Sequence, residues 1–413
     1  MLQDDALRPS LAFSKLLSRD WFKRIWILQE IALAKEIRVS CGGETTTWTA
    51  LMAVLSKLKE KNKLPAEYRA AWNLETFRKE YQRNGPQKGV DIHTAMVQSR
   101  QCDTTNLKDK VYALLGVCPE LAHVMGEPNY KLSVAVVWTR AQRACFSGRL
   151  TINALYLVSV GERSEKDVPS WVPDLSTGLK TWPRRPPPPA LTDGKATIVH
   201  CGSKDLSCLH VRGTFVDTLV SPFEYTDNTT FQETVVQWRK WWTRFDDLDA
   251  GQVESSINKV PAFWTTLYCD NKAFVPTTGE LSTWHRSIVP IIPQSPSSPI
   301  VFNSTIAFRD VKASDFFEST LERIFGTTQR GSIGLFPKNS QAGDRIVLFS
   351  GGSTPYLIRP AYHNLGSCDQ KRKACYRRKE DGWELVGPCY VYGLADSEAR
   401  AKDVQASQEI LLF

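Results

Sequence analysis

The chain has 413 residues, 42% of them apolar and 23% charged, which is ordinary globular composition and enough length for two or three domains. Its net charge of +8 comes from 52 basic and 44 acidic residues mixed along the chain, too mild and too dispersed for a nucleic-acid binder. No apolar run approaches the ~18 residues that span a bilayer, Asp4 and Asp5 stand where a signal peptide would carry a basic or apolar stretch, and the ten Cys form no dense framework, so a cytoplasmic protein with reduced thiols is expected.

Residues 18–34 predict the first helix. Asp20 or Ser18 can cap it, Leu, Lys, Arg, Gln, Glu and Ala fill it, and neither Gly nor Pro interrupts it. Phe22, Trp26 and Glu30 are spaced by four and so share one stripe, widened by Ile25 and Leu33. That places Glu30 on or near an aromatic face. In the plainest reading it is a charge at the edge of the core.

A strand over 35–42 follows, ending at Gly42-Gly43, with a second short strand at Thr45–Thr47. Helices are expected over 49–60, with Leu51, Val54, Leu55 and Leu58 facing inward, and then over 66–80, 91–101, 107–117 and 131–147. The segment 81–90, with Asn84-Gly-Pro, reads as a loop. Residues 1–150 are therefore a mostly helical region with a little α/β at its start. Residues 151–195 read as a Pro-rich linker whose Trp182–Pro189 stretch is polyproline II.

From 196 to 413 a β-rich domain is expected, barrel- or sandwich-like, with a helical insertion over about 228–330. Ala196–Cys201 and Ser207–Val211 form a hairpin, and Thr214–Val220 continues as a strand. Residues 228–247 are helical and contain Trp238, Trp241 and Trp242. Further strands lie at Ser332–Leu335, Asp344–Leu348, Tyr356–Pro360, Trp383–Val386 and Tyr390–Tyr392. The fold class is α+β.

Several segments match one family in order. Trp21, Phe22, Arg24, Trp26, Gln29 and Glu30 fit a Trp-Phe-x-Arg-x-Trp-x-x-Gln-Glu pattern. Val39-Ser-Cys-Gly42 with Trp48 follows, then Asp109-Lys-Val-Tyr-Ala-Leu-Leu-Gly116, with Asp109, Tyr112 and Gly116, and then Pro169-Ser-Trp-Val-Pro-Asp174. Gly343-Asp344, Pro355, the strand Val386–Gly393 and Ser397-Glu398 complete the set. Together they resemble the fungal heterokaryon incompatibility (HET) domain. That resemblance implies nonself recognition or programmed cell death, protein partners, and a remnant of a TIR-like sheet.

TIR domains with enzymatic activity use a Glu in a Trp-x-x-x-Glu helix to cleave NAD, and Trp26-Ile-Leu-Gln-Glu30 has that spacing. The resemblance therefore makes Glu30 the candidate catalytic residue and NAD a candidate substrate. A carboxylate can stabilise the oxocarbenium-like state of such a cleavage. The family's opening Ser-Tyr-x-Trp-Gly segment is not found before residue 18, so the expectation is an N-terminally truncated, catalytically incomplete member acting through protein contacts, as an inactive partner or decoy. The alternative is an NAD-cleaving enzyme using Glu30. Where the family usually shows Pro-Arg before Asp109, this chain has Asn106-Leu-Lys108, and Asp109 reads either as a functional acid or as a first-turn charge favouring its helix.

Other constellations offer less. His200-Cys201 and Cys208-x-His210 do not point to one strand face, so no metal site is expected and no cofactor is implied. Gly351-Gly352 reads as a turn, and no phosphate-cradling Gly-rich loop or hydrolase elbow occurs.

Overall fold

A computed structural model describes residues 12–60, 68–147, 151–158, 163–165, 167–177, 198–200, 208–226, 231–249, 251–268, 319–361, 382–394 and 407–413. The stretches Trp182–Pro189, Pro290–Pro299 and Ser397-Glu398, and Cys201, lie outside the described residues. The chain divides into two compact units. The first is Met1–Leu150 with Ser164–Val168 and Asp174–Leu179; the second is Thr151–Arg163, Pro169–Pro173 and Lys180–Phe413.

The first unit is mainly helical: α1 (12–17), then α2 (Ile27–Leu33), α3 (Trp48–Glu60), α4 (Tyr68–Asn84), α5 (Ile92–Arg100), α6 (Asp109–Tyr112), α7 (Pro119–Met125) and α8 (Val134–Ser147). Its sheet is an antiparallel hairpin, β1 (Arg38–Cys41) and β2 (Glu44–Thr47), turning at Gly42 with φ 65. α3 begins at Trp48, so Trp48, Leu51, Met52 and Leu55 are buried at helical spacing. Val54, expected inside, is 39% exposed, because the buried face of α3 runs through Trp48, Leu51, Met52 and Leu55 and Val54 lies to one side of it. α5 is capped by Asp91, whose carboxylate accepts from the backbone N–H groups of His93 and Thr94. The expected helix over 107–117 is α-helical only through Tyr112 and then tightens into turns closed by Leu114 N–H to Val111 and Val117 N–H to Leu114. α7, which starts on Pro119 at its first turn, was not expected.

The second unit is built on β4 (Leu209–Pro222), one 14-residue strand where two shorter ones were expected. β3 (Ile198–His200) pairs with its start as the expected hairpin, His200 opposite Leu209. The remaining strands are β5 (Arg323–Thr328), β6 (Ile333–Pro337), β7 (Arg345–Phe349), β8 (Pro355–Pro360), β9 (Gly382–Pro388), β10 (Tyr390–Val391) and β11 (Gln408–Leu412). The pairings β4–β7, β7–β8, β8–β9, β9–β11 and β11–β4 close on themselves, so five strands make a small barrel. The far end of β4 leaves the barrel and joins β5, β6 and β10 in a second sheet.

Between β4 and β5 come α9 (Phe231–Asp246) and α10 (Lys259–Tyr268). They bury Trp238, Trp241, Trp242, Phe263 and Trp264 with Phe325, Ile333 and Leu335 of the second sheet. The indole N–H of Trp241 donates to the Glu224 carbonyl and that of Trp238 to Thr320, so these large rings are buried with their polar handles partnered.

Within the span read as a linker, Thr151–Leu157 form a 3-10 turn and Leu155, Tyr156 and Trp171 are buried. The Arg163 guanidinium donates to the carbonyls of Pro169, Ser170 and Val172. The Pro-Ser-Trp-Val-Pro stretch is thus packed chain, ordered by a side chain that local composition does not announce.

Candidate functional site

Residues 20–33 do not form one helix. Asp20–Lys23 are a 3-10 turn, Arg24 is extended, and α2 begins after Trp26. The cause is tertiary: the backbone of Arg24 bridges in parallel to Asp103, with Ile25 N–H donating to the Asp103 carbonyl at 3.0 Å and Asp103 N–H to Lys23 at 2.5 Å. The break dissolves the expected Phe22–Trp26–Glu30 stripe. Phe22 is 5% exposed and packs inward, whereas Trp26 and Glu30 are exposed. Glu30 is therefore on the open surface of α2, not at the margin of the core.

Three contacts fix this segment. Trp21 meets Phe22 edge-on at 4.9 Å, and both rings lie against Trp48, at 6.3 and 6.4 Å. The buried Trp48 indole N–H donates to Glu75 at 2.6 Å. At the other end, Arg78 of α4 donates to the carbonyls of Ile31 and Ala34, at 2.5 and 2.6 Å, and to Lys35 at 3.2 Å, supplying donors to carbonyls that a helix C-terminus leaves open. Between them, Gln29 lies against Gly116, where an added Cβ would sit 3.0 Å from the Gln29 amide. The structure thus brings Gln29 and Gly116 together, and Trp21 and Phe22 with Trp48.

Asp109 and Tyr112 belong to a second cluster. The Tyr130 hydroxyl donates to Asp109 at 2.7 Å, the Tyr112 hydroxyl donates to the Asn129 carbonyl at 2.8 Å, and the two Tyr rings meet edge-on at 5.1 Å. Partial burial, followed by the Asp109 hydrogen bond, pushes the Tyr130 hydroxyl up to about 12. Lys110, 3% exposed, donates to the carbonyls of Ser99, Arg100 and Cys102 and so caps α5. Burial lowers its pKa, while Asp103 and Asp174 act in the opposite direction. Asp174 shows a related balance: burial would raise its carboxyl, but hydrogen bonds from Ser176 and Ser164 outweigh that and hold it below the usual carboxylate range.

The chemistry available to this constellation is limited. Arg24 is exposed, and its backbone carries the Asp103 bridge. Among the described residues no group of three or more His, Cys, Asp or Glu could hold a metal. The Cys102 and Cys118 thiols are pushed up to about 12 by burial, so neither is a nucleophile at neutral pH. Lys110 is within a segment the sequence singles out. Arg78 and Tyr130 carry no local signal and were missed.

The chain is similar to "Heterokaryon incompatibility protein 6, OR allele" of Neurospora crassa, 22% identical over an alignment of 472 residues that takes in 94% of this chain and 65% of that protein. This chain therefore spans less than two thirds of the relative's length. No family model matches the chain, and no solved structure matches it. Among the described residues no helix is long and apolar enough to cross a membrane.

Proposed function

We propose that this chain acts in fungal nonself recognition of the heterokaryon incompatibility type, from the cytoplasm, and that it works through protein contacts without turning over NAD. The observation that carries the reading is the likeness to a heterokaryon incompatibility protein along nearly the whole chain. In this reading the first unit is a HET-type domain, distantly TIR-like, and the outcome of recognition is cell death. Protein is its partner and nucleic acid is not; no cofactor takes part.

The contact surface in this reading is the outward face of α2. Trp26, Glu30 and Leu33 fall at i, i+4 and i+7, and Trp26 and Leu33 are 36% and 49% exposed. Solvent-facing Trp and Leu beside a carboxylate suit an interface better than a catalytic pocket. Stabilising an oxocarbenium-like state needs a preorganised, water-excluded site, whereas Glu30 faces solvent.

Two measurements test this. Expression of the full chain in Neurospora crassa is expected to restrict growth in some strain pairings, and Trp26→Ala with Leu33→Ala to abolish the restriction while the purified variant keeps a cooperative unfolding transition. Growth restriction that survives the double variant would reject the α2 face. Purified chain is expected to release no nicotinamide from NAD; release that Glu30→Gln removes would establish the enzymatic alternative.

A further inference from the structure

The barrel of the second unit carries a cavity that none of the incompatibility motifs touches. It lies where β4 passes from one sheet to the other. β7 pairs with β4 as far as Thr218, opposite Arg345, and β5 pairs with β4 from Leu219 onward. Register shifts fall on both sides of that point, between Phe215 and Asp217 and between Leu219 and Ser221. Bulges re-aim side chains and part the neighbouring strands. The result is a cavity of about 320 Å³ lined by Phe215, Asp217, Thr218, Gln329, Arg330 and Arg345, among others. That is the lower end of the size range of small-molecule sites, roughly 300–1,000 Å³.

The lining is cationic on balance, with two guanidiniums against one carboxylate. Asp217 is engaged locally, one oxygen accepting from the Thr218 N–H at 2.8 Å. The Arg345 guanidinium lies over the Phe215 ring at 4.8 Å, which holds its plane in place. Its Nε is buried and has no hydrogen-bond partner among the described residues. The backbone of Gln329 is pinned by its N–H donating to the Thr218 carbonyl at 2.8 Å, which sets the β5–β6 turn, with Arg330, at the rim.

We propose that this cavity binds the phosphate group of a small phosphorylated molecule. Arg345 comes from β7, Arg330 from the β5–β6 turn and Thr218 from β4, so the donors belong to three separate elements. A tetrahedral phosphate accepts from several directions, whereas a planar carboxylate is best served by one coplanar fork.

The test is calorimetric titration of the full chain with sodium phosphate against sodium chloride at equal ionic strength. Saturable binding of phosphate is expected, weakened roughly tenfold by Arg345→Gln and roughly threefold by Arg330→Gln, as for loss of a charged hydrogen bond in one case and a rim charge in the other. Arg330→Gln changes an exposed turn residue and keeps the test valid if Arg345→Gln does not fold. No binding by the wild-type chain, the same affinity in wild type and variants, or tighter binding of sodium acetate than of phosphate would each overturn the proposal.

Discussion

Gly116 and Gln29 sit in two separate sequence segments, and the structure gives a reason for both. A Cβ at 116 would come within 3.0 Å of the Gln29 amide, the end of a flexible side chain that can give way. Gly116→Ala is expected to cost up to about 1 kcal/mol, and Gln29→Ala to remove most of that cost when combined with it, a coupling read from a double-mutant cycle of denaturant unfolding. His93 reports at another level. Burial lowers its pKa from 6.5 to about 4, Asp91 opposing, so it is neutral in the folded protein at pH values where the unfolded chain binds a proton. The unfolded state then holds more protons between pH 6.5 and about 4, and stability falls as pH falls through that window, by at most about 3 kcal/mol. His93→Gln is expected to flatten this part of the stability–pH curve; an unchanged slope would show that other groups set it. The sequence marked Gln29 and Gly116 but not that they touch, because residues 87 apart meet only through the fold.

α2 is held at both ends by other parts of the first unit. Its C-terminal carbonyls are served by Arg78, so Arg78→Met, which keeps most of the apolar stem, is expected to destabilise by about 2 kcal/mol. Amide exchange of residues 34 and 35 should accelerate while that of α5 does not change; equal acceleration in both helices would mean a general loss of stability instead. At its start, no Gly or Pro announces that Arg24 is extended. Helix propensity is a weak prior, and the Asp103 pairing overrides it. Elements whose inner face repeats regularly were readable: α4, α5 and α8 by helical period, and β7 to β9 as apolar runs between turns. β5 was not, since Arg323–Thr328 contains Gly326 and Arg323 amid a stretch read as helical, yet every residue of it is buried. The surface position of Glu30 was not readable either, since it follows from that same break at Arg24.

In the second unit, distant segments are sewn together by a few polar contacts. The Ser170 hydroxyl accepts from the Leu385 N–H at 2.8 Å and donates to the Phe413 carbonyl, to which the Ser170 N–H also donates. Arg359 grips the buried Asp344 with two bonds, at 2.7 and 2.8 Å, and those bonds draw the pKa of the Arg359 guanidinium upward. The Pro-Ser-Trp-Val-Pro and Gly343-Asp344 segments thus have structural work whatever else they do. Ser170→Ala is expected to cost about 1–2 kcal/mol, lowering the unfolding midpoint followed by Trp fluorescence; a neutral effect would show that water replaces the hydroxyl. A barrel or sandwich was legible as a class, but closure was not, because it depends on β11, a five-residue strand that pairs with β4 about 200 residues earlier. That pairing sets an order on synthesis. β4 leaves the ribosome long before its partner exists, so one edge of the strand stays open while the helices and most of the other strands are made. The ring can shut only when residues 408–412 emerge, and a chain arrested just short of them would carry an unpaired strand edge able to recruit another copy.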